Sequence, residues 1–299
     1  MSTDIEIEGF VLGRYFEQWE EEGIAVGLEV DEIILEEEES EYQEISIFKS
    51  KTFGNVLVID EVIQCTERDE FPYHEMMAHL PLFSHPNPEK VLIIGGGDGG
   101  AIREIAKHPL VKEIHQCELD KFVIDTAKKY LPKSAIGYSS PKLTIHLEDG
   151  IKFINRYSEE FDVIITDCSD YDLDSSRPFY EQDYYKKVNK ALKPNGIICS
   201  LAECMFTDFE FMKTFTKTIR SVFPVVRYAY GIYIPGYIGG QCGFLVATKD
   251  KTKVLEEPVR QLTDEDIKDM NLRYYNTATH KACFALPQYV KEAIEKYYF

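Results

Sequence analysis

The chain has 299 residues, 44% of them hydrophobic and 13% aromatic, enough for one large domain or for a large and a small one. Its 52 acidic and 33 basic residues give a formal net charge of −19, which argues against nucleic-acid and anionic-membrane partners and favours cationic ligands. The histidines and cysteines show no metal-ligand spacing, so we expect no metal site and reduced, buried thiols in a cytoplasmic protein. The acidic N-terminus and the absence of an 18-residue apolar run predict neither a signal peptide nor a membrane span.

Residues 1–80 are predicted to form a small N-terminal β-domain. The predicted strands, which are rich in β-branched residues, are Gly27–Leu35, Tyr42–Lys49, Gly54–Asp60 and Val62–Thr66. The acidic run Glu36–Glu39 is interpreted as a solvated hairpin tip, and a helix is predicted over Phe71–Leu82.

Residues 81–299 alternate between apolar strands and helical stretches, which predicts a parallel sheet. The predicted strands are Val91–Ile94, Glu113–Cys117, Leu143–Leu147, Phe161–Thr166 and Gly196–Ala202. The predicted helices are Ala101–Lys107, Lys121–Tyr130, Gly150–Arg156, Tyr180–Leu192 and Asp208–Val222. Two late strands, Val225–Tyr230 and Gln241–Thr248, are expected at an antiparallel edge, and the tail Thr263–Phe299 is expected to hold two short helices.

The most informative segment is Val91–Gly100, an apolar strand that runs into a glycine-rich loop containing Asp98. Gly95, Gly97 and Gly100 satisfy the G-x-G-x-x-G spacing of a dinucleotide site. A fixed carboxylate in that loop would repel a pyrophosphate, whereas it suits ribose hydroxyls, an amine or a sulfonium. The loop therefore favours a cationic nucleoside over a nicotinamide dinucleotide.

Acidic residues follow the predicted strands one after another. In an open parallel sheet, ligands bind beyond the carboxyl ends of the strands, and each of these acids is expected there. Any single one of them is equally well explained as a helix N-cap or a satisfied loop residue. Their succession favours a site for an adenosyl sulfonium and an amine. These acids are Asp98, Glu118, Asp149, Asp167, Asp170 and Glu203.

Long strings of the sequence resemble the spermidine synthase (polyamine aminopropyltransferase) family over most of the chain. The strings that carry the resemblance are Ser40–Gln43, Gly54–Asp60, Ile63–Phe71, Tyr73–Met76, Leu92–Gly100, Ile136–Ser139, Phe161–Asp167, Tyr274–Asn276, His280 and Leu286–Pro287. The resemblance implies an α/β fold, in which a Rossmann-like, methyltransferase-type parallel-sheet catalytic domain follows a small N-terminal β-strand domain. It also implies a homodimer or homotetramer with the N-terminal strands as a contact surface.

The resemblance also implies roles for individual residues. The expected contacts of decarboxylated S-adenosylmethionine, a co-substrate rather than a cofactor, are Gln43, His74, Asp98, Glu118, Asp149 and Gly150. His74 stands where many members have glutamine. The expected contacts of an acceptor diamine such as putrescine are Tyr73, Asp167, Asp170 and Tyr237, with Asp167 as the catalytic base and with Gln64 and Glu203 as further pocket residues.

Three departures from the family pattern fall on the acceptor side. The usual Pro-x-Gly-Pro turn after Asp170 is replaced by Tyr171–Arg177, so this loop is expected to follow a different path. The segment Ile234–Gly240 is altered around the acceptor tyrosine, and Phe206 replaces a tryptophan. These changes represent either drift around an unchanged diamine pocket or, through Asp172 and Asp174, adaptation to another and longer amine.

The sequence leaves several functions open beside aminopropyl transfer to putrescine. They are methylation of a polyamine by intact S-adenosylmethionine, transfer to a different amine, and a non-catalytic paralogue that binds a nucleoside or polyamine. Intact S-adenosylmethionine would bring a carboxylate next to Asp98 and Asp167, which argues for the decarboxylated donor. Asp98 makes a NAD-dependent enzyme the weakest alternative.

Overall fold

In this computed structural model, the residues described are 10–11, 13–19, 23–171, 173 and 175–295. The N-terminal part forms a six-stranded antiparallel sheet in which the strands follow one another in chain order. Its strands are β1 (Phe10–Val11), β2 (Arg14–Trp19), β3 (Ile24–Glu39), β4 (Glu44–Ser50), β5 (Gly54–Ile59) and β6 (Val62–Thr66).

The interpretation of Glu36–Glu39 as a hairpin tip is wrong. These residues are the end of β3, where Glu38 pairs with Ile45 and Glu39 pairs with Glu44, and the chain turns between residues 39 and 44. All four glutamates are exposed, so their charge remains hydrated while their backbone joins the ladder. The prediction also missed β1 and β2.

The second sheet has seven strands in the order β12-β13-β11-β10-β7-β8-β9. The bounds are β7 (Lys90–Gly95), β8 (Glu113–Glu118), β9 (Leu143–Leu147), β10 (Phe161–Asp167), β11 (Leu192–Leu201), β12 (Val225–Tyr233) and β13 (Gln241–Thr248). Strands β7 to β11 pair in parallel, and β13 pairs antiparallel with β11 and β12. The predicted parallel sheet with an antiparallel edge is therefore confirmed.

Helices cover this sheet and join it to the first one. Their bounds are α1 (Glu70–Ser84), α2 (Gly100–Lys107), α3 (Lys121–Tyr130), α4 (Pro132–Ala135), α5 (Gly150–Ile154), α6 (Gln182–Ala191), α7 (Phe209–Arg220), α8 (Asp264–Asp269), α9 (Thr277–Ala282) and α10 (Gln288–Glu295). Within the described residues, no helix is both long and apolar enough to cross a membrane.

The tail contains three described helices rather than the two predicted. Capping boxes start α8 at Thr263 and α9 at Asn276. Between them the chain is tethered to α1, because the buried Glu75 carboxylate accepts hydrogen bonds from the backbone N–H groups of Arg273, Tyr274 and Tyr275 at 2.8–3.1 Å. This long-range contact separates α8 from α9, and no local sequence pattern predicts it.

The central strands are buried on both faces. In β7, Val91 and Ile93 pack into one apolar cluster, whereas Leu92 and Ile94 pack into the cluster on the opposite face. A sheet buried on both faces can offer polar groups to a ligand only at the ends of its strands. The fold therefore places the site at the carboxyl edge of β7, β8 and β10.

Candidate active site

A cavity of about 340 Å³ opens at the carboxyl edge of the parallel sheet and is closed from above by the N-terminal sheet. Every residue that the sequence assigned to a site lies in its lining. These residues are Gln43, Gln64, Tyr73, His74, Asp98, Glu118, Asp149, Gly150, Asp167, Asp170, Glu203 and Tyr237. One cavity thus brings together all of the predicted positions, and their individual roles remain predictions.

The lining is strongly acidic. Its eight carboxylates are Glu17, Asp98, Glu118, Asp149, Asp167, Asp170, Glu203 and Asp208. Among the described residues that line the cavity, none is a lysine or an arginine. Such a cavity attracts cations and strongly disfavours an anionic group, since partial burial strengthens each charge interaction.

The lining also contains residues that the sequence does not assign to the site, among them two acids and a tryptophan. Glu17 and Trp19 reach the cavity from β2, and Asp208, the residue just before α7, reaches it from the part of the chain that forms the second sheet. Glu17 is 6% exposed and Asp208 is 5% exposed, so both carboxyls are buried beside the cavity. Trp19 is the single tryptophan of the chain, which was the one available signal. Nothing in the local sequence shows that β2 folds over the carboxyl edge of a distant sheet.

The glycine loop after β7 packs directly on the end of β10. Gly95 has φ +82°, and a Cβ placed there would overlap the carbonyl oxygen of Asp167. The adjacent Gly96 N–H donates to that same carbonyl at 2.9 Å. Glycine is required here both for its backbone conformation and for its missing side chain. The loop therefore fixes the position of Asp167 through its backbone.

Gly95→Ala is expected to destabilise the protein by about 3 kcal/mol, because it combines left-handed strain with overpacking against backbone. Gly231→Ala is the matched control: its φ is +75°, but no atom lies within 4 Å of the added Cβ. Urea unfolding of both variants measures the difference. Equal losses of unfolding free energy would show that the contact with Asp167 contributes nothing.

Asp98 is held in the loop by two donors. Its Oδ1 accepts from the Gly100 N–H at 2.7 Å and lies 3.0 Å from His74 Nε2. Burial works against ionisation, but the facing His74 imidazole outweighs it and holds the pKa of Asp98 below its usual range. Asp98 is thus a fixed negative charge in the cavity lining, as the sequence predicted for a cationic ligand.

Glu118 ends β8 and is oriented by the turn that follows it. The Asp120 N–H donates to Glu118 Oε1 at 3.0 Å, and Asp120 in turn accepts from Gln43 Nε2 at 3.1 Å. Burial raises the pKa of Glu118 to about 7 against the backbone hydrogen bonds that lower it. This carboxyl therefore titrates close to neutral pH, and Gln43 supports the turn that carries it.

Asp149 has a structural role in addition to its place in the lining. Its Oδ1 accepts from the Ile151 N–H at 2.8 Å and the Lys152 N–H at 3.1 Å, which caps α5. The following Gly150 lies against Ile94, where a Cβ would stand 2.6 Å from the Cγ2 methyl. The N-cap explanation raised from the sequence thus applies to Asp149, and the cap fixes this carboxylate at the cavity edge.

Asp167 ends β10, and one of its oxygens is free to act on a ligand. Tyr73 donates its hydroxyl hydrogen to Asp167 Oδ1 at 2.6 Å, whereas Oδ2 has no hydrogen-bond partner. Burial and the neighbouring Asp98 raise the pKa of Asp167 to about 6, although His74 and Tyr73 act in the opposite direction. A carboxylate with this pKa and a free oxygen is suited to accept a proton.

Tyr237 lines the same cavity as Asp167 and lies beside Tyr73. Its hydroxyl donates to the Gln64 carbonyl at 2.6 Å, and its ring contacts Tyr73 edge-on with the centroids 6.2 Å apart. The altered segment around Tyr237 is anchored by the Gly236 N–H, which donates to Asp69 at 2.7 Å. Two aromatic rings thus form an apolar wall beside the carboxylates.

The substituted loop after Asp170 packs on α7 and the cavity. Tyr171 stacks on Phe211 with the ring centroids 3.7 Å apart, and Ser176 binds the carbonyl oxygens of Asp170 and Leu173. Asp172 and Asp174, which the sequence connected with another amine, lie outside the described residues. Phe206, in place of a tryptophan, is 75% exposed and lies outside the lining.

Comparison with known proteins identifies one family over most of the chain. Residues 70–257 match the family model of the spermine/spermidine synthase domain, and residues 14–67 match that of the spermidine synthase tetramerisation domain. Spermidine synthase of Dictyostelium discoideum is 45% identical over 272 residues, covering 91% of this chain and 93% of that protein. Spermidine synthase of Schizosaccharomyces pombe is 43% identical over 274 residues, covering 92% and 91%.

Solved structures of spermidine synthases resemble this chain over nearly its whole length. A crystal structure of spermidine synthase in complex with the transition-state analogue AdoDATO superposes with a TM-score of 0.87 at 34% identity, covering 98% of this chain and 99% of that one. Spermidine synthase from Thermotoga maritima superposes with a TM-score of 0.84 at 34% identity and the same coverage. With its two sheets, its acidic cavity and these matches, the chain belongs to the spermidine synthase family.

Proposed function

We propose that this chain is an aminopropyltransferase that moves the aminopropyl group of decarboxylated S-adenosylmethionine to putrescine, giving spermidine and methylthioadenosine. The observation that carries the proposal is the cavity lined by eight carboxylates, with the partner-free Oδ2 of Asp167 among them. Both substrates are cations, and the surroundings match their charge. The relatives named above carry the same activity in their names.

The donor side is assigned to the glycine loop and the ends of β8 and β9. Glu118 is placed on the ribose hydroxyls, since one carboxylate accepts from both of them. Asp149 and Gly150 are placed at the adenine, whose amino group is a donor. Asp98 is placed on the ammonium of the aminopropyl arm, with His74 beside it. A donor that kept its carboxylate would bring a negative charge among these acids.

The acceptor side is assigned to Asp167, Asp170, Tyr73 and Tyr237, with Gln64 and Glu203 as further lining residues. One diamine nitrogen loses a proton to Asp167 and attacks the carbon next to the sulfonium. The new C–N bond forms as the C–S bond breaks, and the electron pair of that bond stays on sulfur as neutral methylthioadenosine. The step requires neither a metal nor a covalent intermediate with the protein.

The raised pKa of Asp167 improves it as a base. An alkylammonium has a pKa of about 10.4, so deprotonating it at pH 7 costs roughly 4–5 kcal/mol. The rise of the Asp167 pKa from 3.8 to about 6 narrows the difference between the pKa values of the carboxyl and the amine, and this lowers the cost of proton transfer by at most roughly 3 kcal/mol. Alignment of two substrates in one cavity supplies the rest, since effective molarities of about 10⁵ M are attainable.

Product masses test the proposal. The purified protein is incubated with putrescine and, separately, with decarboxylated or intact S-adenosylmethionine. We expect a gain of one aminopropyl group with the decarboxylated donor and no product with the intact one. A methyl gain would make the protein a polyamine methyltransferase, and binding of methylthioadenosine without turnover would make it a non-catalytic paralogue.

The pH dependence of kcat/KM reports the two raised carboxyl pKa values. Asp167, near 6, must be ionised to accept a proton, and Glu118, near 7, must be ionised to hold the ribose. Activity is therefore present above neutral pH and is lost as pH falls through both values, with a log–log slope that approaches two below pH 6. Glu118→Gln is expected to reduce this slope to one, and a profile that stays flat to pH 5 would contradict both assignments.

The acceptor is proposed to be putrescine, with the changed loop accommodating it by a different path. In this loop, Tyr171 and Ser176 are packed in place by neighbouring residues. Titration with putrescine, cadaverine, agmatine and spermidine measures the preference. A higher kcat/KM for a longer amine would instead assign the loop a part in selecting another substrate.

We also propose a cytoplasmic homodimer or homotetramer, divided into an N-terminal β-domain of residues 1–80 and a catalytic domain of residues 81–299. The match of residues 14–67 to the tetramerisation domain supports contact through the N-terminal strands. The seven free cysteines are compatible with a reducing compartment. Light scattering coupled to size exclusion measures the subunit number, and a monomer at micromolar concentration would contradict the assembly.

A further inference from the structure

A line of alternating charges connects helix α2 with the cavity. Arg103 binds both oxygens of Glu70, with Nη1–Oε1 at 2.9 Å and Nη2–Oε2 at 2.8 Å. Glu70 Oε2 also lies 2.6 Å from His74 Nδ1, and His74 Nε2 lies 3.0 Å from Asp98 Oδ1. We call these four residues, Arg103, Glu70, His74 and Asp98, the charge chain.

The contacts of His74 determine how many protons it carries. Each ring nitrogen faces a carboxylate oxygen, and an ionised carboxylate only accepts hydrogen bonds. The bidentate Arg103 keeps Glu70 ionised, and the Gly100 N–H donates to the same Asp98 oxygen that His74 approaches. Both ring nitrogens must therefore donate, so His74 is an imidazolium. His74 is only 3% exposed, so both contacts are shielded from bulk water.

We propose that Glu70 is a positioning residue for aminopropyl transfer. Glu70, bound by Arg103, keeps His74 protonated. The imidazolium in turn holds Asp98 in place and keeps Asp167 ionised, so that Asp167 can accept a proton. This inference rests on the proposed function. Glu70 lies outside the cavity lining, and it acts on the substrates only through His74.

The charges around His74 agree with this assignment. Burial opposes its charge, but Asp98 and Glu70 outweigh burial and raise the pKa of His74 to about 10. Tyr73 on the same helix presents its ring edge-on to His74 at 5.4 Å, and burial raises the pKa of its hydroxyl. The pKa of the Cys65 thiol on β6 is raised by burial and by the same acids. Both groups therefore remain neutral. Beyond these groups, the charge that faces His74 is Asp167, whose pKa the imidazolium lowers.

Replacement of Glu70 therefore has a consequence at Asp167. Without the Glu70 charge, burial and the positive charge of Arg103 lower the pKa of His74, and we expect the ring to lose its proton even though Asp98 still faces it. Loss of that positive charge raises the pKa of Asp167, so the base is protonated over a wider range. Glu70→Gln is expected to move the acid limb of the kcat profile up by about one pH unit. A residue that served packing alone would lower stability without moving the limb.

Glu104→Gln is the matched control. Glu104 is another buried carboxylate that contacts a buried histidine, His79, at 3.3 Å. It also binds Arg103, but from the side away from the cavity, two residues beyond Glu70 along the line of charges. The same change of carboxylate to amide there is expected to leave the acid limb in place. His74→Gln supplies a second variant should Glu70→Gln fail to fold, because glutamine removes the imidazolium charge but keeps a hydrogen-bonding side chain. It is expected to move the limb in the same direction as Glu70→Gln.

The experiment combines pH profiles with ¹⁵N NMR of labelled histidine, in which His74→Gln assigns the His74 signals. At pH 8 we expect His74 to be an imidazolium in the unmodified protein and a neutral ring in Glu70→Gln. We expect the acid limb to shift upward in Glu70→Gln and to stay in place in Glu104→Gln. A His74 that is neutral at pH 8 in the unmodified protein, an unmoved limb, or an equal shift in Glu104→Gln would overturn the proposal. An imidazolium in a protein without aminopropyl transfer would instead refute the proposed function.

Discussion

Asp167→Asn is expected to lower kcat for aminopropyl transfer about 10³-fold, within the range of positioned general bases. The amide keeps the shape of the side chain and can still accept the Tyr73 hydrogen bond at 2.6 Å, but it cannot take a proton from the acceptor amine. Spermidine formation at saturating substrates measures the loss. The Kd of methylthioadenosine is expected to change little, because Asp167 is assigned to the acceptor.

Asp183→Asn provides the control for this variant, since that carboxylate is 79% exposed on α6, outside the lining. Its kcat is expected to equal that of the unmodified protein. A kcat in Asp167→Asn within tenfold of the unmodified value would contradict the assignment of Asp167 as the base. Deprotonation of the amine by solvent before binding would then be the better account.

Asp98→Asn is expected to weaken binding of the decarboxylated donor by roughly 10- to 100-fold, the value of a hydrogen bond between charged groups. The change removes the negative charge assigned to the aminopropyl ammonium. It also removes the carboxylate that lies 3.0 Å from His74 Nε2 and that contributes most to keeping this ring protonated. Calorimetric titration with the donor measures the loss.

The acceptor serves as the internal control for Asp98→Asn. KM for putrescine is expected to stay within a few-fold, whereas KM for the donor rises. An equal rise in both KM values would show that the variant disturbs the whole cavity. Unchanged donor affinity would move the aminopropyl ammonium away from Asp98.

That several acids meet at one edge of the sheet could be predicted from the sequence because the physical rule behind it is simple. Asp98, Glu118 and Asp167 directly follow buried parallel strands, and the carboxyl ends of such strands meet at one edge of the sheet. The glycine loop needs its glycines because β10 lies in contact with it, as Gly95 demonstrates. Spacing along the chain was enough to place these residues together.

Contacts between distant segments were beyond local reasoning. Glu17 and Trp19 enter the cavity only because β2 folds across the sheet edge, and the spacing of these residues predicts no such position. The third tail helix follows from the buried Glu75, about 200 residues earlier in the chain, which binds three consecutive N–H groups and so separates α8 from α9.

Charge along the chain is a poor guide to structure at Glu36–Glu39 and to function at Glu70. The charge of the run Glu36–Glu39 suggests a solvated hairpin tip, yet an exposed strand end tolerates four acids where their side chains stay in water. Glu70 was overlooked because its importance depends on Arg103, which is 33 residues away in the chain and reaches it from α2. A residue that acts through a neighbour carries no sign of this in its own sequence context.

The central claim is that a cavity lined by eight carboxylates, with neither lysine nor arginine among its described lining residues, selects a cationic nucleoside without a carboxylate. The most direct test is calorimetric titration of the protein, at one pH and ionic strength, with decarboxylated and with intact S-adenosylmethionine. These two ligands differ by that carboxylate alone. The account predicts at least about tenfold tighter binding of the decarboxylated form, corresponding to a difference of about 1.4 kcal/mol or more. Equal affinities, or tighter binding of the intact form, would contradict it.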